Sequence, residues 1–376
     1  MKKVVVLGAG LVGSPIALDL AYNQEYAVLA VDFLGANFPK LEKGGVATKK
    51  LDINQEGVIE SVIADADFVI NATPGFMGFE SLKRIISSAK NCIDIAFYPE
   101  NLFDLDELAK QKGVCVISDI GVAPGMSNLL SAYGHSLLDE TEDIKIYVGG
   151  LPLIRQKPWE YKAPFSPVDV IEEYTRPARF IVDGQLVTKA ALTDLEILEF
   201  PKVGPLEAFN SDGLRSLMYT LEVPNMIEKT LRYPSYVDKI KLLRDSGFFD
   251  TDKRMINGKE ISPLELTSNL LFDQWKLKEG DRDLTVMQIR VSGKKDGQEQ
   301  THIFDLYDEQ DPNTGIHSMA RTTGFTATVA MRLMDAGLYT LPGVSAPEFL
   351  AKSKANVDFM LDGLKKRGVN YIHTIK

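Results

Sequence analysis

The chain has 376 residues, 45% hydrophobic and 25% charged, and 42 basic side chains against 52 acidic ones leave a net charge of −10. Such a composition excludes intrinsic disorder and suits two domains better than one. The negative balance repels phosphate backbones and anionic lipid, so neither nucleic acid nor a membrane surface is an expected partner.

Lys2-Lys3 followed by Val4-Val5-Val6-Leu7 imitates a signal peptide, but the glycines that follow at fixed offsets fit a buried strand and its turn better. Residues 3–7 are expected to form a parallel strand buried on both faces. Residues 11–22 read as a helix with Pro15 in its first turn, where the missing N–H matters little. Further strands are expected at 27–31, 46–51, 68–71, 92–95 and 114–118, with helical segments at 55–64, 79–90 and 102–110. This alternation describes βαβ units, and six strands before residue 120 match an α/β fold with a Rossmann-type doubly wound parallel sheet. Cys92 and Cys115 lie in two of these strands and build no disulfide framework, which implies a reducing, cytoplasmic home. The four histidines show no zinc-ligand spacing, and no apolar stretch reaches the ~18 residues of a membrane span.

The texture changes after Gly121-Val122-Ala123-Pro124-Gly125. Alternating strands at 283–292 and 298–307 flank the turn Lys294-Lys295-Asp296-Gly297, and shorter ones at 180–182 and 185–187 flank Asp183-Gly184. Helical stretches are expected at 211–221, 235–246 and 263–275. These elements predict a second, α+β domain built on a mainly antiparallel sheet. Residues 318–336 form a long small-residue helix pattern stopped by Gly337, and 357–366 a last helix. The expected organisation is a dinucleotide-binding domain over 1–125, completed by 318–376, and a substrate-binding and dimerisation domain over 126–317.

Gly8-Ala9-Gly10-Leu11-Val12-Gly13 follows a buried strand and opens a helix, the context that turns a weak glycine pattern into a dinucleotide fingerprint. Gly8 allows the tight turn, Gly10 lets a pyrophosphate approach the backbone, and Gly13 lets helix and strand pack closely. Leu11 and Val12 bring the positive end of the helix to the phosphates. Asp32, at the end of the second strand, is placed to accept from the adenosine ribose hydroxyls, and Phe33-Leu34-Gly35 supplies no arginine for a 2′-phosphate, so NAD is expected rather than NADP. Asp52-Ile53, ending the third strand, is placed to flank the adenine, and Ala72-Thr73 follow the fourth strand; each pair reads either as a plain strand-ending turn or as a cofactor contact. An anionic substrate needs arginine forks, and Arg215 and Arg232 stand out in the second domain, although either could be a solvated side chain.

Motifs along the whole chain add to this. They are the glycine fingerprint, Asp119-Ile120-Gly121-Val122-Ala123-Pro124-Gly125-Met126-Ser127-Asn128, Tyr147-Val148-Gly149-Gly150-Leu151-Pro152, Gly204-Pro205-Leu206-Glu207-Ala208-Phe209, Thr230-Leu231-Arg232-Tyr233-Pro234, Met319-Ala320-Arg321-Thr322-Thr323 and Gly343-Val344 with Pro347-Glu348. With them the chain resembles the saccharopine dehydrogenase family, and within it the lysine 6-dehydrogenases. The resemblance implies that hydride leaves the ε-carbon of L-lysine for NAD and that the imine formed is hydrolysed to a semialdehyde, which cyclises. It also implies that Arg232 binds a substrate carboxylate, that Tyr98 and Asp119 lie where nicotinamide and substrate meet, and that the protein is a homodimer. A base must take a proton from the ammonium, whose ordinary pKa is ~10.4, and Asp119, Asp212, His135 and Glu100 all remain open for that task. So do two other readings: oxidation of a secondary amine of the saccharopine type, with Arg155, Arg215 and Arg232 as anchors, and NAD sensing without turnover.

Overall fold

Short runs, apolar except for the mostly exposed Ala47-Thr48-Lys49-Lys50 of the third, set the first unit. They are β1 (Lys3–Leu7), β2 (Ala27–Asp32), β3 (Ala47–Lys50), β4 (Phe68–Asn71), β5 (Asn91–Asp94) and β6 (Cys115–Ile117). The computed structural model describes residues 1–163 and 167–376. All six strands pair in parallel in the order β3-β2-β1-β4-β5-β6, the doubly wound arrangement expected. Val4, Val5, Val6 and Leu7 of β1 are buried, as are Phe68, Val69 and Ile70 of β4. Each such side chain stabilises the fold by about 1.5–3 kcal/mol, so the central strands carry the core. Strand order reverses between β1 and β4, which creates the crevice at their carboxyl ends where α/β sheets bind ligands.

A seventh parallel strand, Gly343–Ser345, lies beside β6 with Gly343 opposite Cys115. Three residues are too few for a hydrophobic period, and the sequence showed no strand there. The C-terminal segments are held to α1 (Gly13–Ala21) in two ways. Gly324 of the Ser318–Asp335 helix passes so close that an added Cβ would lie 3.1 Å from Ile16. Asp19 of α1 takes charge-assisted bonds from Arg332 at 2.7 Å and Arg367 at 2.8 Å.

The chain divides into Met1–Leu137 with Met319–Tyr371, and Leu138–Ser318 with Ile372–Lys376. The Met126–Leu137 helix therefore falls in the first unit, not the second, because its buried face packs against the Pro347–Lys352 turn. The last five residues join the second unit, where Thr301 and Lys376 exchange backbone hydrogen bonds of 2.9 and 3.0 Å.

The second unit is a nine-stranded sheet around the 13-residue strand Glu140–Pro152. That strand runs antiparallel to Asp283–Lys295 and parallel to Asn225–Arg232, so the sheet is mixed although mainly antiparallel. Both expected hairpins form, Asp283–Lys295 with Gln298–Glu309 and Ala178–Val182 with Gln185–Lys189. The helix expected over 211–221 shrinks to Leu217–Thr220. Ser211 and Asp212 give their side chains to neighbouring segments, and Arg215 sits at φ +52°, which no helix accommodates. A separate core joins Tyr161, Tyr174, Phe209, Tyr236 and Trp275.

Candidate active site

At the crevice of the first unit the three glycines differ in what constrains them. Gly8 has φ +95°, and an added Cβ would lie 2.4 Å from the carbonyl oxygen of Ala72. At Gly13 it would lie 2.0 Å from the carbonyl oxygen of Gly8. Packing of the protein on itself therefore requires both. At Gly10 an added Cβ meets nothing within 4 Å, and its φ is not left-handed. Neither packing nor backbone conformation calls for glycine at that exposed position, whereas close approach of a phosphate does. Leu11 is exposed beside it, Val12 is half-buried, and Gly13 begins α1. The cradle thus fits a dinucleotide.

Asp32 stands at the carboxyl end of β2, but its oxygens are already engaged. Oδ2 accepts from the Ala9 amide at 2.9 Å, and Oδ1 from the amides of Leu34 and Gly35 at 2.7 and 2.9 Å. The carboxylate expected to bind ribose here organises the loops that would surround it. Asp52 lies beyond β3, not at its end, and caps its own turn through the Asn54 amide at 3.0 Å. Ile53 joins the core with Val5, Leu7 and Ile59. Ala72 donates its amide to Leu7 O at 2.9 Å and, with buried Thr73, extends β4 at the point where the strand order reverses.

Sequence reasoning missed a buried polar network behind this edge. Asn71 and Asp94, the last residues of β4 and β5, face each other in register. Asp94 accepts from Asn71 Nδ2 at 2.9 Å, from the Ala96 amide at 3.2 Å, from the Tyr98 hydroxyl at 2.9 Å and from Ser118 Oγ. Burial pushes its carboxyl up to about 7, against the pull of these donors. The signal for this network was a polar residue closing each of three apolar runs: Asn71, Asp94 and Ser118. Tyr98 is fully buried, with its hydroxyl spent on Asp94 and 2.8 Å from Ser118, so it positions this network instead of reaching a substrate. Asp119 follows Ser118 at φ +56° and is almost completely buried.

In the second unit, Arg232 closes the Asn225–Arg232 strand inside a nest of aromatic rings. Its guanidinium carbon lies 4.5 Å from the centroid of Tyr161, 5.9 Å from Tyr236 and 6.0 Å from Tyr174. Nη2 donates to Glu173 Oε2 at 2.8 Å and to the Tyr174 and Tyr161 hydroxyls at 3.3 and 3.4 Å, and Nη1 to Leu231 O at 2.9 Å. Nε has no partner among the described residues, and neither has Nε1 of Trp275, whose ring centroid is 5.5 Å from that of Tyr161. A buried cation with an unused donor is suited to a carboxylate.

The other expected anchors stand differently. Asp212 is clamped by Arg179 through bonds of 2.9 and 2.8 Å. Arg215 is buried in the turn that replaces the expected helix. Arg155 stacks 4.5 Å from the Tyr233 centroid and pairs with Glu160. Glu228, missed from sequence, is buried beside Ser211, whose hydroxyl donates at 2.7 Å, and burial pushes its carboxyl to about 8. Among the described residues no group of three or more His, Cys, Asp or Glu side chains could hold a metal ion, and no helix is long and apolar enough to cross a membrane.

Residues 4–117 match the saccharopine dehydrogenase NADP binding domain, and residues 121–369 match the saccharopine dehydrogenase C-terminal domain. The saccharopine dehydrogenase [NADP(+), L-glutamate-forming] of Pyricularia oryzae is 24% identical over 98% of each chain. The carboxynorspermidine synthase of Vibrio cholerae is 24% identical over 98% of this chain and 96% of its own. Apo saccharopine dehydrogenase (L-Glu forming) from Saccharomyces cerevisiae shares the fold with a TM-score of 0.84 at 21% identity, over the full length of both chains. With a nucleotide-binding Rossmann domain followed by this C-terminal domain, the chain belongs to the saccharopine dehydrogenase family of oxidoreductases.

Proposed function

We propose that this protein is an NAD-dependent dehydrogenase that oxidises the amine-bearing carbon of an amino acid, with L-lysine as the substrate. Arg232 carries the proposal: a guanidinium buried among aromatic rings, with Nε lacking a partner among the described residues, suits a substrate carboxylate. The relatives named above support the class, since their names denote carboxylated amines. The negative charge of Asp32, with Phe33 and Leu34 beside it, favours NAD over a cofactor carrying a 2′-phosphate.

Gly10, Leu11 and Val12 would hold the pyrophosphate, and Ala72 and Thr73 the crevice beside it. When bound, the dinucleotide supplies the hydride acceptor. The chain's own residues do the rest. Arg232 fixes the carboxylate, and Asp119 takes the ammonium proton that must leave before the carbon can be oxidised. Tyr98, Asp94 and Ser118 hold the segment bearing Asp119 in place. The imine then adds water and releases ammonia, giving the semialdehyde.

One observation favours a second reading, a saccharopine-type reaction with NADP: Lys50 of β3 lies directly opposite Asp32 in register and offers a cation near the ribose end. Absorbance of reduced cofactor at alkaline pH, with L-lysine or saccharopine and with NAD or NADP, separates the two. NADH formed from L-lysine is expected. Turnover of saccharopine with NADP alone would replace the first reading with the second.

A further inference from the structure

The polar network behind the crevice has a proton count that sets its charge. The Tyr98 hydroxyl lies 2.9 Å from Asp94 Oδ2 and 2.8 Å from Ser118 Oγ, and Ser118 Oγ also meets Asp94 Oδ2, so three oxygens form a closed triangle. The two hydroxyls bring two protons. With an ionised carboxylate, one of the three contacts would be two oxygens facing each other without a hydrogen. A third proton, on Asp94, completes the triangle. Oδ1 has donors of its own, Asn71 Nδ2 at 2.9 Å and the Ala96 amide at 3.2 Å. Burial holds this carboxyl neutral, and Asp119 opposes a second negative charge beside it. Cys92 on the same strand and Tyr98 itself stay neutral too, both pushed well above their ordinary ranges by burial. Asn71 of β4, with the Gly78 carbonyl and Phe79 ring of the Gly75–Ser87 helix, brings no charge.

The triangle stands at one end of the crevice. The glycine turn and Asp32 belong to the β1–β3 half of the sheet, whereas Asp94 ends β5, the middle strand of the β4–β6 half. A doubly wound sheet gives one mononucleotide to each half, so the nicotinamide goes to the half that holds the triangle. The oxidised nicotinamide is a cation and the reduced one is neutral, while the rest of the cofactor is unchanged. A nearby cation favours the ionised form of a poorly solvated carboxyl. We propose that Asp94, Tyr98 and Ser118 form a proton switch that reads the charge of the nicotinamide. The triangle keeps its third proton beside the reduced cofactor and yields it to solvent when the oxidised cofactor binds, Oδ2 then accepting from both hydroxyls. This rests on the dinucleotide reading of the first unit and adds a group that couples cofactor preference to pH.

Calorimetric titration of the full chain in buffers of different ionisation enthalpy counts these protons without turnover. A carboxyl falling from about 7 to about 6 gives up about half a proton at pH 6.5 when NAD binds, whereas NADH should release almost none. Because release accompanies binding, the affinity for NAD relative to NADH should rise about fivefold from pH 6 to pH 8. Asp94→Asn should bind both cofactors with equal proton counts and a flat affinity ratio. Ser118→Ala removes a donor to the carboxylate, so release should persist with its peak at higher pH, and this variant decides the matter if Asp94→Asn does not fold. Equal counts for NAD and NADH in the wild type, release that survives in Asp94→Asn, or an unmoved peak in Ser118→Ala overturns the switch and leaves NAD binding standing. A chain that takes only NADP and NADPH is judged by the same difference between that pair. Binding of none of the four overturns both the switch and the dinucleotide reading.

Discussion

The glycine cradle of the first unit and the arginine nest of the second are built by opposite means. The cradle is backbone: Gly8, Gly10 and Gly13 lie within six residues, and what matters is that no side chain stands there. The nest is side chain: Arg232, Glu173, Tyr161, Tyr236 and Trp275 come from segments spread over more than a hundred residues. A site made by omission needs only a strand and a helix start, and it tolerates an added side chain poorly. A site made by convergence depends on several elements packing correctly, and each member contributes separately.

The largest expected effect breaks the nest. Arg232→Ala removes the anchor and breaks its ion pair with Glu173, and breaking one half of a largely buried pair destabilises by about 3–5 kcal/mol. Its thermal midpoint should fall, and the substrate KM of the folded fraction should rise. Arg232→Lys keeps the charge without the fork, and its KM should still rise about tenfold or more. An unchanged KM in that variant would place the carboxylate elsewhere.

The cradle should separate folding from binding. Gly13→Ala forces a Cβ to within 2.0 Å of a carbonyl oxygen, so melting should show a loss of at least about 1–3 kcal/mol. Gly10→Ala has open space around it and should melt like the wild type while binding dinucleotide about tenfold more weakly, as followed by fluorescence of the reduced cofactor. Equal melting losses in the two variants would erase the distinction drawn between those glycines.

Asp94 sharpens the comparison through pH. Its folded-state carboxyl titrates at about 7 against an ordinary 3.8, so over that interval the unfolded chain ionises while the folded chain keeps its proton. Stability from this group is full below about 4 and declines as pH rises towards 7. Asp94→Asn should therefore gain on the wild type across that window in denaturant titrations, and a constant difference would contradict a protonated Asp94. The smallest effect concerns the cofactor. Asp32→Ser removes the charge that opposes a 2′-phosphate and should move the NAD-to-NADP preference about tenfold towards NADP, measured as a ratio of kcat/KM.

Much of the first unit was legible. The runs around Val5, Leu29, Ile70 and Ile93 are apolar enough to mark parallel strands, and Pro263–Trp275 lay where its pattern put it. The 211–221 region was misread because Leu214, Leu217 and Leu221 mimic a helical face, while Ser211 and Asp212 are held by residues distant in sequence, Glu228 and Arg179. Tyr98 was placed near the chemistry by its position in the chain, yet its burial and its bond to Asp94 become visible only when β4, β5 and β6 lie side by side.

By itself the sequence determined what depends on neighbours along the chain: strand and helix periods, the turn at Gly8, the absence of a side chain at Gly10 and the sign of the charge that ends β2. Tertiary structure alone decided which carboxylates are buried, which arginines are already paired, and that Glu173 stands beside Arg232. The reason is physical. Hydrophobic period and backbone sterics act over a few residues, whereas desolvation and ion pairing depend on whatever the fold brings within a few ångströms.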